Sequence, residues 1–373
     1  MHIERYLKPN IEAEIGKGKI IILYGARQVG KTTLVKEILA VRKEKSRYLN
    51  CDEPDIREAL TKKTSTEMRS FIGDAQLIVL DEAQRVPDIG ITLKLLHDTY
   101  PDLTIIATGS SSFDLSNSIS EPLTGRNTTF TLYPISFFEY AVAIGEIEAV
   151  RLLEERIRFG SYPGIISSSN PEEGVRALAR DYLLKDVFQI GMIRKPIVIE
   201  KLVKLLSLQI GQQVSYNELA QKLEVSRQTV MGYVRLLEQA FVIFRLPPLG
   251  KNKRKEVTRF DKIYFYDTGI RNALIDDFKP LEYRTDKGHL FENFFIAERM
   301  KQLDRQSDRA ALYYWRTKTG AEIDLVEDAH GTFRAFECKW TGEGTPSRAW
   351  LSEFPGTEPT LVTRKSAPAL LLQ

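Results

Sequence analysis

The chain has 373 residues, of which 43% are hydrophobic and 28% are charged, a composition typical of a soluble globular protein with two or three domains. The net charge of only +3 excludes a uniformly basic surface, so any contact with nucleic acid must use a local patch. Two cysteines, Cys51 and Cys338, argue against a disulfide framework or a cysteine zinc site and fit a reducing cytosol. No segment resembles a secretion signal or a membrane span, so we expect a cytoplasmic protein without membrane contact.

Residues 19–39, KIIILYGARQVGKTTLVKEIL, predict a phosphate-binding loop between a strand and a helix. The apolar run 20–24 is typical of a buried parallel strand. Gly25, Gly30, Lys31 and Thr32 then match the pattern G-x-x-x-x-G-K-[ST]. A chance match is the alternative, but the strand before the pattern and the helix after it favour ATP binding. The predicted ATP-binding residues are Gly25, Ala26, Arg27, Gln28, Val29, Gly30, Lys31, Thr32 and Thr33.

The polar groups of this loop have separate expected roles. The glycines let consecutive backbone N–H groups turn inward, and the helix N-terminus adds the positive end of its dipole. Lys31 supplies a catalytic cation for the β- and γ-phosphates, and the Thr32 hydroxyl is a ligand for magnesium. ATP and Mg²⁺ are therefore the expected cofactors.

A second motif, LIVLDEAQRV, predicts a short buried strand over residues 77–80 that ends in Asp81 and Glu82. Downstream of a phosphate loop, Asp81 is expected to hold magnesium together with Thr32, and Glu82 to polarise the attacking water. By itself such a pair usually marks only the end of a strand, but with the first motif it favours ATP hydrolysis.

Two further groups follow in chain order. Thr108 and Ser110 lie at the C-terminal end of the predicted strand LTIIATGSSS, where one of them could sense the γ-phosphate, or the segment could be a turn that caps a helix. Arg126, in a Gly-Arg pair, could act as a catalytic arginine toward a neighbouring subunit, which would require a homo-oligomer. The alternative is a solvated surface arginine.

The segments GARQVGKTTL, LIVLDEAQRV, IIATGSSS, LTGR and LYPISFFEY resemble a prokaryotic AAA-type ATPase family whose members carry a C-terminal domain long labelled as of unknown function. The resemblance spans essentially the whole chain. It implies that the helical pattern from about residue 134 to 195 is the ATPase lid, whereas the pattern alone fits any helical connector.

Residues 201–246 predict a helix-turn-helix followed by a strand. Ser215 and Glu218 form a capping box for the first helix, and Ser226 caps the second, whose apolar face leaves Arg227, Gln228 and Arg235 outside. PPLGKNKRKEVTRF then reads as the wing of a winged helix. The candidate DNA-binding residues are Arg227, Gln228, Arg235, Lys251, Lys253, Arg254 and Lys255. A winged helix that serves only for packing is the alternative.

The C-terminal part combines an acidic residue in a helix, Glu292, with Asp324 and the strand pair Glu337 and Lys339. This order resembles the restriction-endonuclease-like PD-(D/E)xK fold. The resemblance implies that the acids bind magnesium and that the lysine positions or activates water. The pattern is short, and such domains also serve only as DNA- or subunit-binding platforms.

The predicted fold is therefore an α/β protein in four parts. They are a P-loop NTPase core with a parallel sheet over residues 1–135, a helical lid over 136–197, a winged helix over 198–255 and a nuclease-like domain over 256–373. The leading functional hypothesis is a magnesium-dependent ATPase that acts on DNA. The alternatives are an ATP-controlled signalling or defence switch with a protein partner, and an ATP-regulated nuclease.

Overall fold

The computed structural model describes residues 1–109, 123–182, 195–250, 260–342 and 347–373. Two compact units make up the chain. The N-terminal unit contains residues 4–134 together with 239–241, and the C-terminal unit contains residues 1–3, 135–238 and 242–373.

The continuous part of the N-terminal unit ends at residue 134, and the division of the chain into four domains stays a prediction. The described parts of the predicted lid, winged helix and nuclease-like segments fall within the C-terminal unit, except for residues 239–241 of the predicted winged helix, which group with the N-terminal unit. Cys51 and Cys338 are buried, free thiols. Among the described residues, no helix combines the length and apolar character needed to cross a membrane.

The N-terminal unit is a parallel sheet flanked by helices. Its strands are β1 (Ile20–Gly25), β2 (Ser46–Asn50), β3 (Leu77–Asp81), β4 (Thr104–Gly109) and β5 (Asn127–Leu132). Its helices are α1 (Leu7–Glu14), α2 (Lys31–Ala40), α3 (Pro54–Leu60), α4 (Ser65–Ile72) and α5 (Ile89–Thr99). The strand order is β2-β3-β4-β1-β5. Every residue of β1 and β3 is buried, as expected for strands covered on both faces.

This strand order positions the functional residues. Strand β4 lies between β1 and β3, with Leu23 paired to Thr108 and Leu80 paired to Ala107. The C-terminal ends of parallel strands meet at one edge of a sheet, which is where α/β proteins bind ligands. The loop after β1, the acidic pair after β3 and the end of β4 therefore share one edge.

The C-terminal unit begins with the helices α6 (Phe137–Ile144), α7 (Glu146–Arg151), α8 (Leu153–Phe159), α9 (Pro163–Ile166) and α10 (Pro171–Tyr182). Another helix of this unit, α14 (Thr268–Ile275), packs closely on α8. The Asn272 amide donates to the Ile157 and Arg158 carbonyls at 3.1 and 2.8 Å. A Cβ atom at Gly269 would lie 2.1 Å from the Phe159 carbonyl oxygen, so only glycine fits there. These long-range contacts explain why the predicted lid helices belong to the C-terminal unit.

The middle of this unit contains α11 (Pro196–Leu208), β6 (Gln213–Val214), α12 (Tyr216–Leu223), α13 (Arg227–Gln239), β7 (Ile243–Leu246) and β8 (Asp261–Phe265). The strands form an antiparallel sheet in the order β6-β8-β7.

Local contacts confirm most of the predicted helix starts in this segment. The Glu218 backbone N–H donates to the Ser215 hydroxyl at 3.3 Å, which is one half of the expected capping box. The Thr229 N–H donates to the Ser226 hydroxyl at 3.1 Å. Strand β7 begins after Phe241, which has a φ of 58° that a strand residue does not adopt.

The last part contains α15 (Lys287–Arg305), β9 (Ala311–Arg316), β10 (Glu322–Ala329), β11 (Thr332–Lys339), α16 (Arg348–Glu353), β12 (Thr360–Thr363) and α17 (Ala367–Leu371). The sheet order is β12-β11-β10-β9. Strands β9, β10 and β11 are antiparallel, and β12 pairs with β11 in parallel. Trp315, Ile323, Val326 and Trp350 form the core of this part.

Candidate functional site: a phosphate loop and a second, acidic pocket

The loop after β1 has a backbone that only glycine permits at two positions. A Cβ atom at Gly25 would lie 2.4 Å from the carbonyl oxygen of Leu132 on the neighbouring strand. Gly30 precedes α2 with a φ of 104°, in the region that favours glycine. The chain can therefore turn sharply from β1 into the N-terminus of α2, as the motif predicts.

Replacing Gly25 with alanine should distort this loop. The clash is with backbone, which cannot move without disturbing β5, so we expect a loss of about 1–3 kcal/mol in the free energy of unfolding and much weaker ATP binding. Gly232→Ala is the control, because that helical glycine has open space around its Cβ position. Thermal melts and ATP titration of both variants test this. A Gly25→Ala protein that melts and binds ATP like the parent would contradict the assigned close approach.

Lys31 lies inside the loop. Its side chain is only 5% exposed, and its ammonium donates to the Gly25 and Ala26 carbonyl oxygens, each at 2.9 Å. These partners are neutral, so an anionic phosphate oxygen is a stronger acceptor for the same ammonium group. The lysine is thus held where a polyphosphate bound by the loop would meet it.

A buried arginine that the sequence motifs did not reveal supports the loop. Arg5 donates to the Val29 carbonyl oxygen at 2.8 Å and to the Tyr133 carbonyl oxygen at 2.5 Å. It therefore links the phosphate loop to the segment that follows β5. The entry segment MHIERYLKPN contains no pattern that would have identified this role.

Asp81 is the centre of a hydrogen-bond network at the same sheet edge. One carboxylate oxygen accepts from the Thr32 hydroxyl at 2.6 Å and from the Tyr48 hydroxyl at 2.5 Å, and the other accepts from Thr108. Burial and the hydrogen bond to Asp81 raise the pKa of Tyr48, so its hydroxyl remains a donor. The motifs did not identify Tyr48, although it lies on β2, the strand next to β3.

Thr108 connects the two acidic residues. Besides donating to Asp81, its hydroxyl oxygen accepts from the Glu82 backbone N–H at 3.1 Å. Glu82 has a φ of 54°, and its carboxylate accepts from the Gln84 amide at 2.5 Å. The predicted sensor Thr108 therefore contacts both Asp81 and Glu82, whereas Ser110 lies outside the described residues.

The Thr32 hydroxyl and the Asp81 carboxylate fit magnesium. Both are hard oxygen donors, and they already contact each other. Magnesium in nucleotide-hydrolysing proteins takes most of its remaining ligands from phosphate oxygens and water. A site with few protein ligands next to a phosphate loop is therefore the arrangement expected for a metal that binds with the nucleotide.

Arg126 forms a surface ion pair. Its guanidinium donates to both Asp98 carboxylate oxygens, at 2.8 and 3.2 Å. This contact agrees with the interpretation of Arg126 as a surface arginine. The role toward a second subunit, and the homo-oligomer that it would need, stay predictions.

Helix α13 presents a polar face with two arginines. Val230, Val234 and Leu237 form its buried apolar face. Arg227, Gln228 and Arg235 are exposed together with Met231 on the opposite face. Within the described residues, neither arginine forms an ion pair. The other predicted DNA-binding residues, Lys251, Lys253, Arg254 and Lys255, lie outside the described residues.

The predicted nuclease-like residues gather around one pocket of about 990 Å³ in the C-terminal unit. Glu292 comes from α15, Asp324 from β10, and Glu337 and Lys339 from β11, and all of them line this pocket. Glu337 and Lys339 form an ion pair with 3.0 Å between oxygen and nitrogen. The sequence pattern therefore identified side chains that the fold brings together.

The pocket also contains a buried lysine that the pattern missed. Lys262, on β8, is 1% exposed, and its ammonium lies 3.0 Å from Glu292 and 3.7 Å from Asp324 and also pairs with Glu322. Tyr264, two residues along β8, donates to the same Glu292 oxygen at 2.5 Å. Period-two alternation in KIYFY places these two side chains on one face, which was the available signal.

Burial changes the protonation of this cluster. Burial and the neighbouring Glu292 carboxylate raise the pKa of Asp324 to about 7. Burial alone would lower the pKa of Lys262, but Glu292, Asp324 and Glu322 outweigh it, so the pKa lies above its ordinary value and the side chain is an ammonium. Among the residues that the structure describes, no group of three or more His, Cys, Asp and Glu side chains is arranged to hold a metal.

Comparison with known proteins agrees with the geometry of the N-terminal unit. Residues 17–141 match a family model described as an AAA domain. Two further models, described as domains of unknown function DUF8612 and DUF4143, match residues 150–281 and 287–357.

Similar proteins extend this match along the chain. The uncharacterized protein Rv2008c of Mycobacterium tuberculosis is 32% identical over 345 residues, which are 90% of this chain and 74% of that protein. The uncharacterized protein MJ1637 of Methanocaldococcus jannaschii is 28% identical over 306 residues, covering 70% of this chain and 63% of that protein. A solved structure, the Walker-type ATPase PABY2304 of Pyrococcus abyssi, aligns with a TM-score of 0.49 and 15% identity, over 74% of this chain and 96% of that chain. The chain therefore belongs to the same family as the mycobacterial protein, and its N-terminal unit is an AAA-type P-loop ATPase domain.

Proposed function

We propose that this protein binds ATP with Mg²⁺ and hydrolyses it in the N-terminal unit. The observation that carries the proposal is the network that joins Thr32, Asp81, Thr108 and Glu82 beside Lys31. Lys31 and the amides of the loop bind the phosphates, and Thr32 and Asp81 hold the metal. Magnesium, when bound, neutralises charge on the β- and γ-phosphates.

Glu82 is the residue proposed to activate water. Its carboxylate follows β3 directly, at the sheet edge where the γ-phosphate would lie, and the Gln84 amide fixes its orientation. A carboxylate in this position accepts a hydrogen bond from the attacking water and takes up its proton. Thr108 keeps Asp81 and Glu82 in a fixed relation, because its hydroxyl contacts both.

We also propose that the protein acts on DNA through α13. The order α11, β6, α12, α13, β7 and β8, with a β6-β8-β7 sheet, supports a winged helix. Its second helix presents Arg227, Gln228 and Arg235 to solvent, as a helix that contacts phosphates does. ATP turnover would then depend on DNA.

The experiment is to measure the ATPase rate with linear, branched and single-stranded DNA at two salt concentrations. We expect DNA to raise the rate, and the effect to weaken with salt because phosphate contacts release counterions. Replacing both Arg227 and Arg235 with alanine should reduce the salt slope of DNA binding by about one per lost phosphate contact. Lys279→Ala with Lys318→Ala is the charge-matched control, since both lysines are exposed on other segments.

If no DNA changes the ATPase rate and the Arg227 and Arg235 variant binds DNA like the control, the DNA proposal is wrong. The ATP-controlled switch that binds a protein partner then becomes the better account. ATP binding and hydrolysis would be unaffected by that outcome.

For the C-terminal part we propose a restriction-endonuclease-like fold. The order of helix α15, antiparallel strands β9 to β11, helix α16 and parallel strand β12 supports it. The positions of Glu292 and Asp324 in one pocket also agree with this fold. DNA cleavage is not included in the proposal, because a lysine lies between these carboxylates.

A further inference from the structure

The acidic pocket of the C-terminal unit already contains cations from the chain itself. The Lys262 ammonium lies between Glu292 and Asp324 and also contacts Glu322. Arg316 pairs with Glu322 at 3.2 Å, and Lys339 pairs with Glu337 at 3.0 Å. Each carboxylate in this set therefore faces an internal positive charge.

Other hydrogen bonds to these acids also come from donors of the protein itself. The Glu292 oxygen nearest Lys262 also accepts from the Tyr264 hydroxyl at 2.5 Å. The Asp324 oxygen that faces away from Lys262 accepts from the Cys338 backbone N–H at 2.8 Å. Glu292 and Asp324, two of the three acids expected to bind magnesium, thus accept from donors of the protein, and the third, Glu337, pairs with Lys339.

A divalent ion held between Glu292 and Asp324 would compete with the Lys262 ammonium for the same carboxylate oxygens. Oxygen ligands lie about 2.0–2.6 Å from Mg²⁺ or Ca²⁺, and the Lys262 nitrogen is 3.0 Å from Glu292 and 3.7 Å from Asp324. Two cations this close in a buried site repel each other strongly. The residues present therefore do not fit a metal while Lys262 keeps its position.

We propose that Lys262 is the resident cation of this pocket and replaces the divalent ion, so that the wild-type pocket binds no metal. The lysine comes from β8, outside the α15 to β12 segment that supplies the acids. It joins β8 to α15 and β10 through buried ion pairs. The pocket then serves to connect two parts of the unit, and removal of the lysine exposes a latent metal site.

The test counts bound Mn²⁺ by electron paramagnetic resonance in the full chain without nucleotide. The proteins are the wild type, Asp324→Asn, Lys262→Met and Lys262→Met with Asp324→Asn. We expect the wild type and Asp324→Asn to bind equal amounts, since the pocket contributes none. Lys262→Met should bind one additional Mn²⁺ per chain, and the double variant should lose it. Mn²⁺ should also raise the melting temperature of Lys262→Met. It should change the melting temperatures of the wild type and of Asp324→Asn by equal amounts.

Several results would overturn the proposal. Wild-type Mn²⁺ binding that Asp324→Asn abolishes would show that metal and lysine share the pocket. A folded Lys262→Met protein without the additional ion would show that the lysine does not replace a metal. Magnesium-dependent nicking of DNA by the wild type that disappears in Asp324→Ala would establish a nuclease.

If Lys262→Met does not fold, the comparison of wild type with Asp324→Asn decides the proposal. Equal Mn²⁺ binding supports it, and a loss in Asp324→Asn contradicts it. Lys262→Arg provides a further check, because it keeps a cation and should bind metal no better than the wild type. None of these results depends on ATP binding at the N-terminal unit.

Discussion

Replacing Glu82 with glutamine is expected to slow ATP hydrolysis by about 10²–10⁴-fold while ATP remains bound. Glutamine keeps the size of the side chain and can still accept the hydrogen bond from Gln84, so the local structure should survive. It cannot take up a proton from water. Single-turnover phosphate release, measured beside ATP binding, separates the two effects.

Glu58→Gln is the matched control for this variant, because Glu58 is an exposed acid on α3 of the same unit. It should hydrolyse ATP at the parental rate. If Glu82→Gln also hydrolyses at the parental rate, Glu82 does not activate the water and the proposed catalytic assignment is incorrect. If Glu82→Gln also loses ATP binding, Glu82 maintains the structure of the sheet edge at which the phosphate loop lies.

Replacing Lys31 with alanine should weaken ATP binding by about 10- to 100-fold, because a hydrogen bond to a charged group contributes about 1.5–3 kcal/mol. The lysine is almost fully buried in the loop, where its ammonium donates to the Gly25 and Ala26 carbonyl oxygens. Its loss removes the cation that the β- and γ-phosphates would meet. Hydrolysis should fall at least as far as binding.

Calorimetric titration with ATP and Mg²⁺ measures this effect. Lys94→Ala is the control, since Lys94 is an exposed lysine on α5 of the same unit. Parental affinity in Lys31→Ala would mean that the loop does not bind phosphates through this residue. A thermal melt of both variants guards against loss of folding as the cause.

The sequence predicted the parts of the N-terminal site whose signals are local. The phosphate loop can be predicted because an apolar strand, glycines at defined spacing and a helix start are adjacent in the chain. Asp81 and Glu82 end a buried strand, so their place at the sheet edge follows from the strand pattern. Thr108 was predicted to lie at this edge, and its contact with both acids agrees with that prediction.

Other residues of the sites were not predictable from local patterns. Arg5 reaches the loop from a distant segment of the chain, and Tyr48 reaches Asp81 because β2 happens to neighbour β3. Lys262 meets Glu292 and Asp324 only because the fold brings β8 next to α15 and β10. In each case a buried or half-buried polar side chain has partners that only the tertiary fold brings near.

The assignment of the predicted lid helices to a structural unit also could not be predicted from local sequence patterns. The pattern of residues 137–182 identified helices correctly, but helix periodicity does not say which unit they join. Contacts between residues far apart in the chain determine the unit to which these helices belong. In one of them the Ser161 N–H donates to the Asp267 carboxylate at 2.7 Å. The fit of Gly269 against Phe159 adds a second such contact.

Equilibrium binding of ATP to the purified full chain in the presence of Mg²⁺ examines the main claim most directly. We predict saturable binding of one ATP per chain that Lys31→Ala weakens and that removal of the divalent ion reduces. A wild-type protein that folds normally and yet shows no affinity for ATP would contradict the account.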